Sequence, residues 1–186
     1  MIPSHNESGV LPPFLGNNPA AQAAMAPYRV SLLEVVSRFG TTPERIKILS
    51  GFIAYRDELR KVGFLNGFQW LDGSFVENVE VTQCRPPADI DIVTFSYRPE
   101  QYKDEGQWVG LIESRPDLFD PEVARDKFHC DAYFVDLSLG MPGYLIDQTK
   151  YWFGLFSHQR VSSVWKGMLE IPLTNDDSDV AALLSA

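Results

Sequence analysis

The alternation of apolar and polar residues along the chain predicts two helices before the first strand. Apolar residues recur at helical spacing over Tyr28–Phe39, and Gly40 ends that pattern. A second helix is predicted to begin at Thr41–Glu44, where a threonine cap and a proline in the first turn precede an acidic residue. It is predicted to end before Gly63, because glycine is the residue type that most often follows a helix.

Later segments alternate between strand and helix patterns. Strands are indicated by aromatic and β-branched composition over Phe64–Leu71, Ala88–Tyr97, His129–Leu137 and, close to the end, Trp165–Ile171. Helical patterns begin at Pro99 and occupy Asp120–Phe128 and Tyr144–Phe156. This order of elements predicts an α/β (α+β) fold class.

Composition divides the chain into three parts. Residues 1–26 are rich in Pro, Gly, Asn and Ala, and they predict an irregular N-terminal arm. Residues 27–173 carry the predicted helices and strands and are expected to form one domain. Residues 174–186 begin with a polar, acidic run that is typical of a flexible tail.

Net charge limits the expected partners, and hydropathy and cysteine content limit the expected cellular location. The chain has 16 basic and 25 acidic residues, a formal net charge of −9, which disfavours nucleic acid as a partner. The sequence has no apolar run of about 18 residues and no signal-peptide pattern, so neither a membrane span nor secretion is expected. Its two cysteines are too few for a disulfide framework. These features predict a cytoplasmic protein.

The strongest candidate chemistry lies where the first long predicted strand ends. Leu71–Ser74 reads Leu-Asp-Gly-Ser, and Asp89-Ile-Asp-Ile follows after a spacer of fourteen residues. Gly73 permits a tight turn and close approach to a ligand, and Ser74 offers a hydroxyl and a backbone N–H to phosphate oxygens. Asp89 and Asp91 are two residues apart, so they project from one face of a strand. Paired carboxylates of this kind suit Mg²⁺, with Mn²⁺ as an alternative.

This pattern resembles the signature of the DNA polymerase β-like nucleotidyltransferases, which is hydrophobic-Gly-Ser, a spacer, then Asp-hydrophobic-Asp-hydrophobic. Gly9–Pro13, Trp70–Val76 and Trp165–Gly167 are also similar to segments of an uncharacterised bacterial branch of minimal members of that superfamily. The resemblance implies a mixed sheet with helices packed mainly on one face. It also implies that Gly73 and Ser74 bind a nucleoside triphosphate, with ATP expected, and that Asp89 and Asp91 bind Mg²⁺.

The resemblance further implies a third catalytic, metal-binding acid on a later strand, and two residues compete for that position. Asp131 shares a strand face with Tyr133 and Val135 and is followed by apolar residues, as in the superfamily. Asp131 is therefore the expected third acid. Asp136, on the opposite face of the same strand, is the alternative.

Other charged residues are assigned more ordinary roles or phosphate contacts. Asp72, directly before the turn, is expected to cap a following short helix rather than to act as a further pocket acid. Glu77 is expected to be solvated. Because basic residues are scarce, Lys150, Arg160 and Lys166 are candidate phosphate contacts.

These expectations together predict a Mg²⁺-dependent enzyme that transfers a nucleoside monophosphate from a nucleoside triphosphate to an acceptor. A partner protein, as in toxin–antitoxin or defence systems, is one candidate acceptor. The alternative is a non-catalytic nucleotidyltransferase-like module that binds a nucleotide or a protein.

Overall fold

Five strands form one mixed sheet, in the spatial order β1–β5–β2–β3–β4. The strands are β1 Tyr28–Arg29, β2 Gly67–Asp72, β3 Ile90–Ser96, β4 Cys130–Asp136 and β5 Leu169–Pro172. The computed structural model describes residues 1–18, 21–160, 162–174 and 180. β2 pairs antiparallel with both β3 and β5, whereas β3–β4 and β1–β5 are parallel pairs. The mixed α/β character expected from the sequence is confirmed.

Seven α-helices lie in the described part of the chain. They are α1 Leu32–Phe39, α2 Pro43–Val62, α3 Val79–Thr82, α4 Glu105–Ser114, α5 Pro116–Phe119, α6 Pro121–Phe128 and α7 Pro142–Phe156. Within these same ranges, none is long and apolar enough to cross a membrane.

The two faces of the sheet carry separate cores. Ile90 and Ile92 of β3 face the larger core, which holds the buried apolar residues of α1, α2 and α4–α6. Val93 and Phe95 face the smaller core, where Trp152 and Phe156 of α7 are packed. Because side chains alternate along a strand, the odd-numbered residues of β3 all lie on the α7 side.

Local caps determine where the first two helices begin and end. The Thr42 hydroxyl accepts a hydrogen bond from a backbone N–H in the first turn of α2, and Gly63 ends that helix at φ 107°, as the sequence predicted. The first helix was predicted to start too early. Its start is set by Ser31, which forms a capping box with Glu34, while Tyr28–Arg29 is edge strand β1.

Two later boundaries also differ from the predictions. After Pro99 the chain forms only a short 3₁₀ turn, and α4 begins at Glu105 because the Asp104 carboxylate caps it. The last strand occupies Leu169–Pro172 rather than starting at Trp165.

The N-terminal arm packs on the domain although it has little regular structure. Val10 and Leu11 are fully buried, and the carbonyl of Leu11 accepts a hydrogen bond from the N–H of Gly167. Of the predicted flexible tail at 174–186, only Thr174 and Val180 are within the described residues, and the rest lies outside them.

Candidate functional site

Three aspartates stand in register across three neighbouring strands. Asp72 pairs with Asp91 across β2 and β3, and Asp91 pairs with Asp131 across β3 and β4. Paired residues project to the same side of a sheet, so all three carboxylates lie on the α7 face at one end of the sheet. Asp131 therefore lies on the face predicted for the third acid.

The fourth aspartate, Asp89, lies directly before β3 and is joined to Asp131 through an arginine. Arg125 of α6 places its Nε 3.0 Å from Oδ2 of Asp89 and its Nη2 2.6 Å from Oδ1 of Asp131. One guanidinium thus partly neutralises two of the three predicted metal ligands.

The Gly73 turn packs against Asp91, the predicted metal ligand that Arg125 does not contact. Gly73 has φ 79° and ψ −166°, and a Cβ built on it would overlap the Asp91 carboxylate. Both the backbone angles and the space therefore require glycine here. Ser74 follows at the cavity surface, and its hydroxyl forms no hydrogen bond with the described residues.

A buried lysine lies beneath the turn. The Nζ of Lys166 is 3.0 Å from Oδ2 of Asp72 and 2.7 Å from Oε1 of Glu77, and it donates to the carbonyl of Gly73 at 3.5 Å. The other oxygen of Glu77 accepts a hydrogen bond of 2.6 Å from Gln159. Lys166 is 4% exposed, so this ion-pair cluster is shielded from water.

The remaining oxygen of Asp72 is the unusual atom in this cluster. Asp72 Oδ1 is buried and has no hydrogen-bond partner among the described residues. Burial raises the pKa of Asp72 to about 7 even though Lys166 opposes the shift. Burial also lowers the pKa of Lys166, but the carboxylates of Asp72 and Glu77 outweigh it, so that pKa lies above its usual value.

Asp91 carries the charge that the cluster leaves without a counter-ion. Burial, together with the negative charges of Asp89 and Asp131, raises the pKa of Asp91 to about 6. Within the described ranges, no basic side chain forms an ion pair with Asp91. A cation entering the cavity would relieve this repulsion.

A cavity of about 740 Å³ opens above these groups, a size suited to a small-molecule ligand. Its wall contains the turn, the four aspartates and Arg125, together with Arg160 and Lys166. The structure therefore brings together seven of the eight predicted site residues: Gly73, Ser74, Asp89, Asp91, Asp131, Arg160 and Lys166.

Lys150 is the predicted residue that the structure leaves outside the cavity. It is exposed on α7 and pairs with Asp147 at 3.2 Å, one turn away. Asp136, the alternative third acid, faces the larger core and pairs with Arg98 at 2.6 Å. Neither residue lines the cavity.

Three residues of the site were missed or misassigned from the sequence. Asp72 caps no helix, because the short 3₁₀ turn after it has Gly73 at its cap position without a side-chain hydrogen bond. Glu77 is buried rather than solvated. Arg125 had no local signal, because its partners come from β4 and from the segment before β3. An acid directly before a Gly-Ser turn was the one available hint for Asp72.

The carboxylates are not arranged as a ready-made metal cluster. Within residues 1–18, 21–160, 162–174 and 180, no group of three or more His, Cys, Asp or Glu side chains is placed to hold an ion as it stands. A bound cation would require Arg125 or the carboxylates to move.

Comparison with known protein families identifies a family for this chain. A family profile described as a family of unknown function (DUF6932) matches residues 3–172 and thus includes the N-terminal arm and the whole site. No curated protein and no solved structure matches the chain.

Proposed function

This chain belongs to the DUF6932 family of unknown function, and from its site we propose that it is a metal-dependent nucleotidyltransferase with a polymerase β-like fold. The proposed reaction transfers a nucleoside monophosphate from a nucleoside triphosphate, with ATP favoured, to an acceptor hydroxyl. The acceptor oxygen bonds to the α-phosphorus while the bond to the bridging oxygen breaks. Pyrophosphate leaves, and the acceptor proton passes to a carboxylate of the site.

One observation carries this proposal: the Gly73 turn is in direct contact with the Asp91 carboxylate. A triphosphate is held by backbone and hydroxyl donors on one side and by a carboxylate-bound cation on the other. The turn supplies donors next to a carboxylate that has no counter-ion. This is the adjacency that a nucleotide–metal complex requires.

The residues present supply the oxygen ligands that a divalent cation prefers, once Arg125 or the carboxylates have moved to admit it. Asp89, Asp91 and Asp131 would hold Mg²⁺ or Mn²⁺ through oxygen ligands, and the unpartnered Oδ1 of Asp72 lies in the same wall. When bound, the cation would supply charge neutralisation and a lowered pKa for the acceptor hydroxyl. The Ser74 hydroxyl would orient the leaving phosphates, while Lys166 keeps the turn in place through the Gly73 carbonyl.

The acceptor proposed here is a partner protein in a toxin–antitoxin or defence setting, by analogy with other short members of the superfamily. The net charge of −9 disfavours RNA as an acceptor. Both cysteines are free, which agrees with a reducing cytoplasm.

The test is transfer of label from α-labelled nucleoside triphosphates to an acceptor in cell lysate with Mg²⁺, because the label stays with the transferred nucleoside monophosphate. The wild type is compared with the double variant Asp89→Ala/Asp91→Ala. We expect a fall of at least about a hundredfold, because charge stabilisation at a reacting group is typically of that size. The matched control is Asp126→Ala/Asp147→Ala, which removes two exposed carboxylates outside the cavity. Retention of wild-type activity by the first double variant would contradict the assignment.

A non-catalytic nucleotide-binding module is the second candidate, and one observation favours it. Arg125 and Lys166 already form ion pairs with four carboxylates, namely Asp89, Asp131, Asp72 and Glu77. Calorimetry with ATP and Mg²⁺ separates the two functions. Saturable binding without pyrophosphate release, across all acceptors tried, would favour the module.

A further inference from the structure

Arg125 stands where a cation is needed, because its guanidinium bridges two carboxylates from different parts of the sheet. The contacts are 3.0 Å to Asp89 and 2.6 Å to Asp131. A divalent cation that used the same oxygens would compete with this guanidinium directly.

The helix that carries Arg125 is firmly placed, so the side chain can move alone. Ala124 and Phe128 of α6 are buried in the larger core, and the Asp120 carboxylate caps the helix. The Arg125 side chain is itself 44% exposed. Its long stem can therefore reorient without any change in the fold.

Two cavities meet at this side chain. The site cavity of about 740 Å³ and a second cavity of about 660 Å³ are both lined by Arg125 and Asp131. A guanidinium released from Asp131 would remain in the wall of the site cavity. There it would face the phosphates of a nucleotide bound at the Gly73 turn, and phosphate is a preferred bidentate partner of arginine.

We propose that Arg125 pairs with the carboxylates as an internal counter-cation and moves to the nucleotide phosphates when a divalent cation binds. This inference rests on the proposed function. It makes free divalent cations poor ligands and couples their binding to that of the nucleotide. The protein thus discriminates the metal–nucleotide complex from the metal alone.

The proposal predicts effects of opposite sign for the variant Arg125→Gln. Without nucleotide, we expect Mn²⁺ to bind the variant at least about tenfold more tightly than it binds the wild type. The reason is that the guanidinium no longer competes for the same carboxylate oxygens. In the presence of Mn²⁺, a methylanthraniloyl derivative of ATP is expected to bind about tenfold more weakly, because a phosphate contact is lost. A merely structural role would weaken both.

The measurements are the electron paramagnetic resonance signal of free Mn²⁺ and the fluorescence of the nucleotide. Lys127→Gln is the matched control, because it removes a cation of the same helix that pairs with Asp117 outside the site cavity. Both affinities should stay at the wild-type value. Arg125→Lys, which keeps the charge, should give intermediate values, and it serves as the test if the glutamine variant does not fold.

The outcomes distinguish failure of the Arg125 proposal from failure of the proposed nucleotidyltransferase function. If the wild type binds Mn²⁺ and neither Arg125 variant binds it more tightly, Arg125 is no counter-cation, but the proposed metal site stands. If neither the wild type nor the variants bind Mn²⁺, the metal-dependent function fails and the inference fails with it.

Discussion

Replacement of Lys166 with methionine is expected to destabilise the protein strongly at neutral and higher pH. Methionine keeps an unbranched apolar stem of similar length and removes the ammonium group. After the substitution, no other described side chain pairs with either carboxylate oxygen of Asp72. Glu77 keeps its hydrogen bond from Gln159. The carbonyl of Gly73 also loses a donor.

The magnitude follows from burial of the whole cluster. Lys166 and Asp72 side chains are each 4% exposed, so neither charge is screened by water. Removal of one partner from such a pair costs about 3–5 kcal/mol, because the other charge is left buried and uncompensated. We therefore expect the free energy of unfolding to fall by about 3–5 kcal/mol at pH 8.

The loss should be smaller at pH 5. The pKa of Asp72 is about 7 in the folded protein and near 3.8 in the unfolded chain, so the folded state holds the extra proton between these values. Stability from that proton is fully present below pH 3.8 and is lost as the pH rises through 7. At pH 5 Asp72 is mostly neutral in the folded state, and its pair with Lys166 matters less.

Urea unfolding followed by circular dichroism at both pH values measures the effect. Lys150→Met is the matched control and should cost at most about 1 kcal/mol, because its pair with Asp147 is exposed. The double variant Asp72→Asn/Lys166→Met should recover part of the loss. Breaking a buried ion pair should cost far more than breaking an exposed one, so a cost below about 1 kcal/mol for Lys166→Met at pH 8 would refute the reasoning. An equal cost at pH 5 and pH 8 would also refute it.

Two further substitutions test the glycine turn and the opposite face of the sheet. Gly73→Ala should weaken binding of the fluorescent ATP derivative by about 1–3 kcal/mol through strain at φ 79° and overlap with Asp91, whereas Gly154→Ala, in open space on α7, should not. Unchanged nucleotide affinity in Gly73→Ala would contradict this. Arg98→Leu should cost about 3–5 kcal/mol in urea unfolding, because Asp136 is left buried and unpaired. Since that pair faces the other core, Mn²⁺ affinity should not change, and a large change would show that the two faces are coupled.

Local signals were sufficient for the boundaries of α2 and for the placement of the predicted acids on the sheet. A cap at Thr42 and a stop at Gly63 act within one turn of the chain, so the sequence around them carries the information. Asp91 and Asp131 could be assigned to one face because side-chain direction alternates regularly along a strand.

What could not be predicted depends on partners that are distant in sequence. The burial of Asp72 and Glu77 depends on Lys166, which lies far along the chain and is 89 residues from Glu77. Strand β1 was missed because Tyr28–Arg29 has helical neighbours and pairs only with β5, near the other end of the chain. The contact of the Arg125 guanidinium with the site could not be predicted, because it depends on the packing of α6 beside β4.

The position of β5 has a consequence for synthesis of the protein on the ribosome. β5 is the last of the described strands along the chain, yet it lies inside the sheet, between β1 and β2. A nascent chain that has already formed β2, β3 and β4 therefore presents an open strand edge until Leu169–Pro172 emerges. Lys166 emerges just before that strand, so the sheet is completed and the Asp72 charge is compensated in one late event. Chains that end before Lys166 would keep both the open strand edge and the uncompensated charge of Asp72. Such truncated products are expected to be targets for chaperones and proteases.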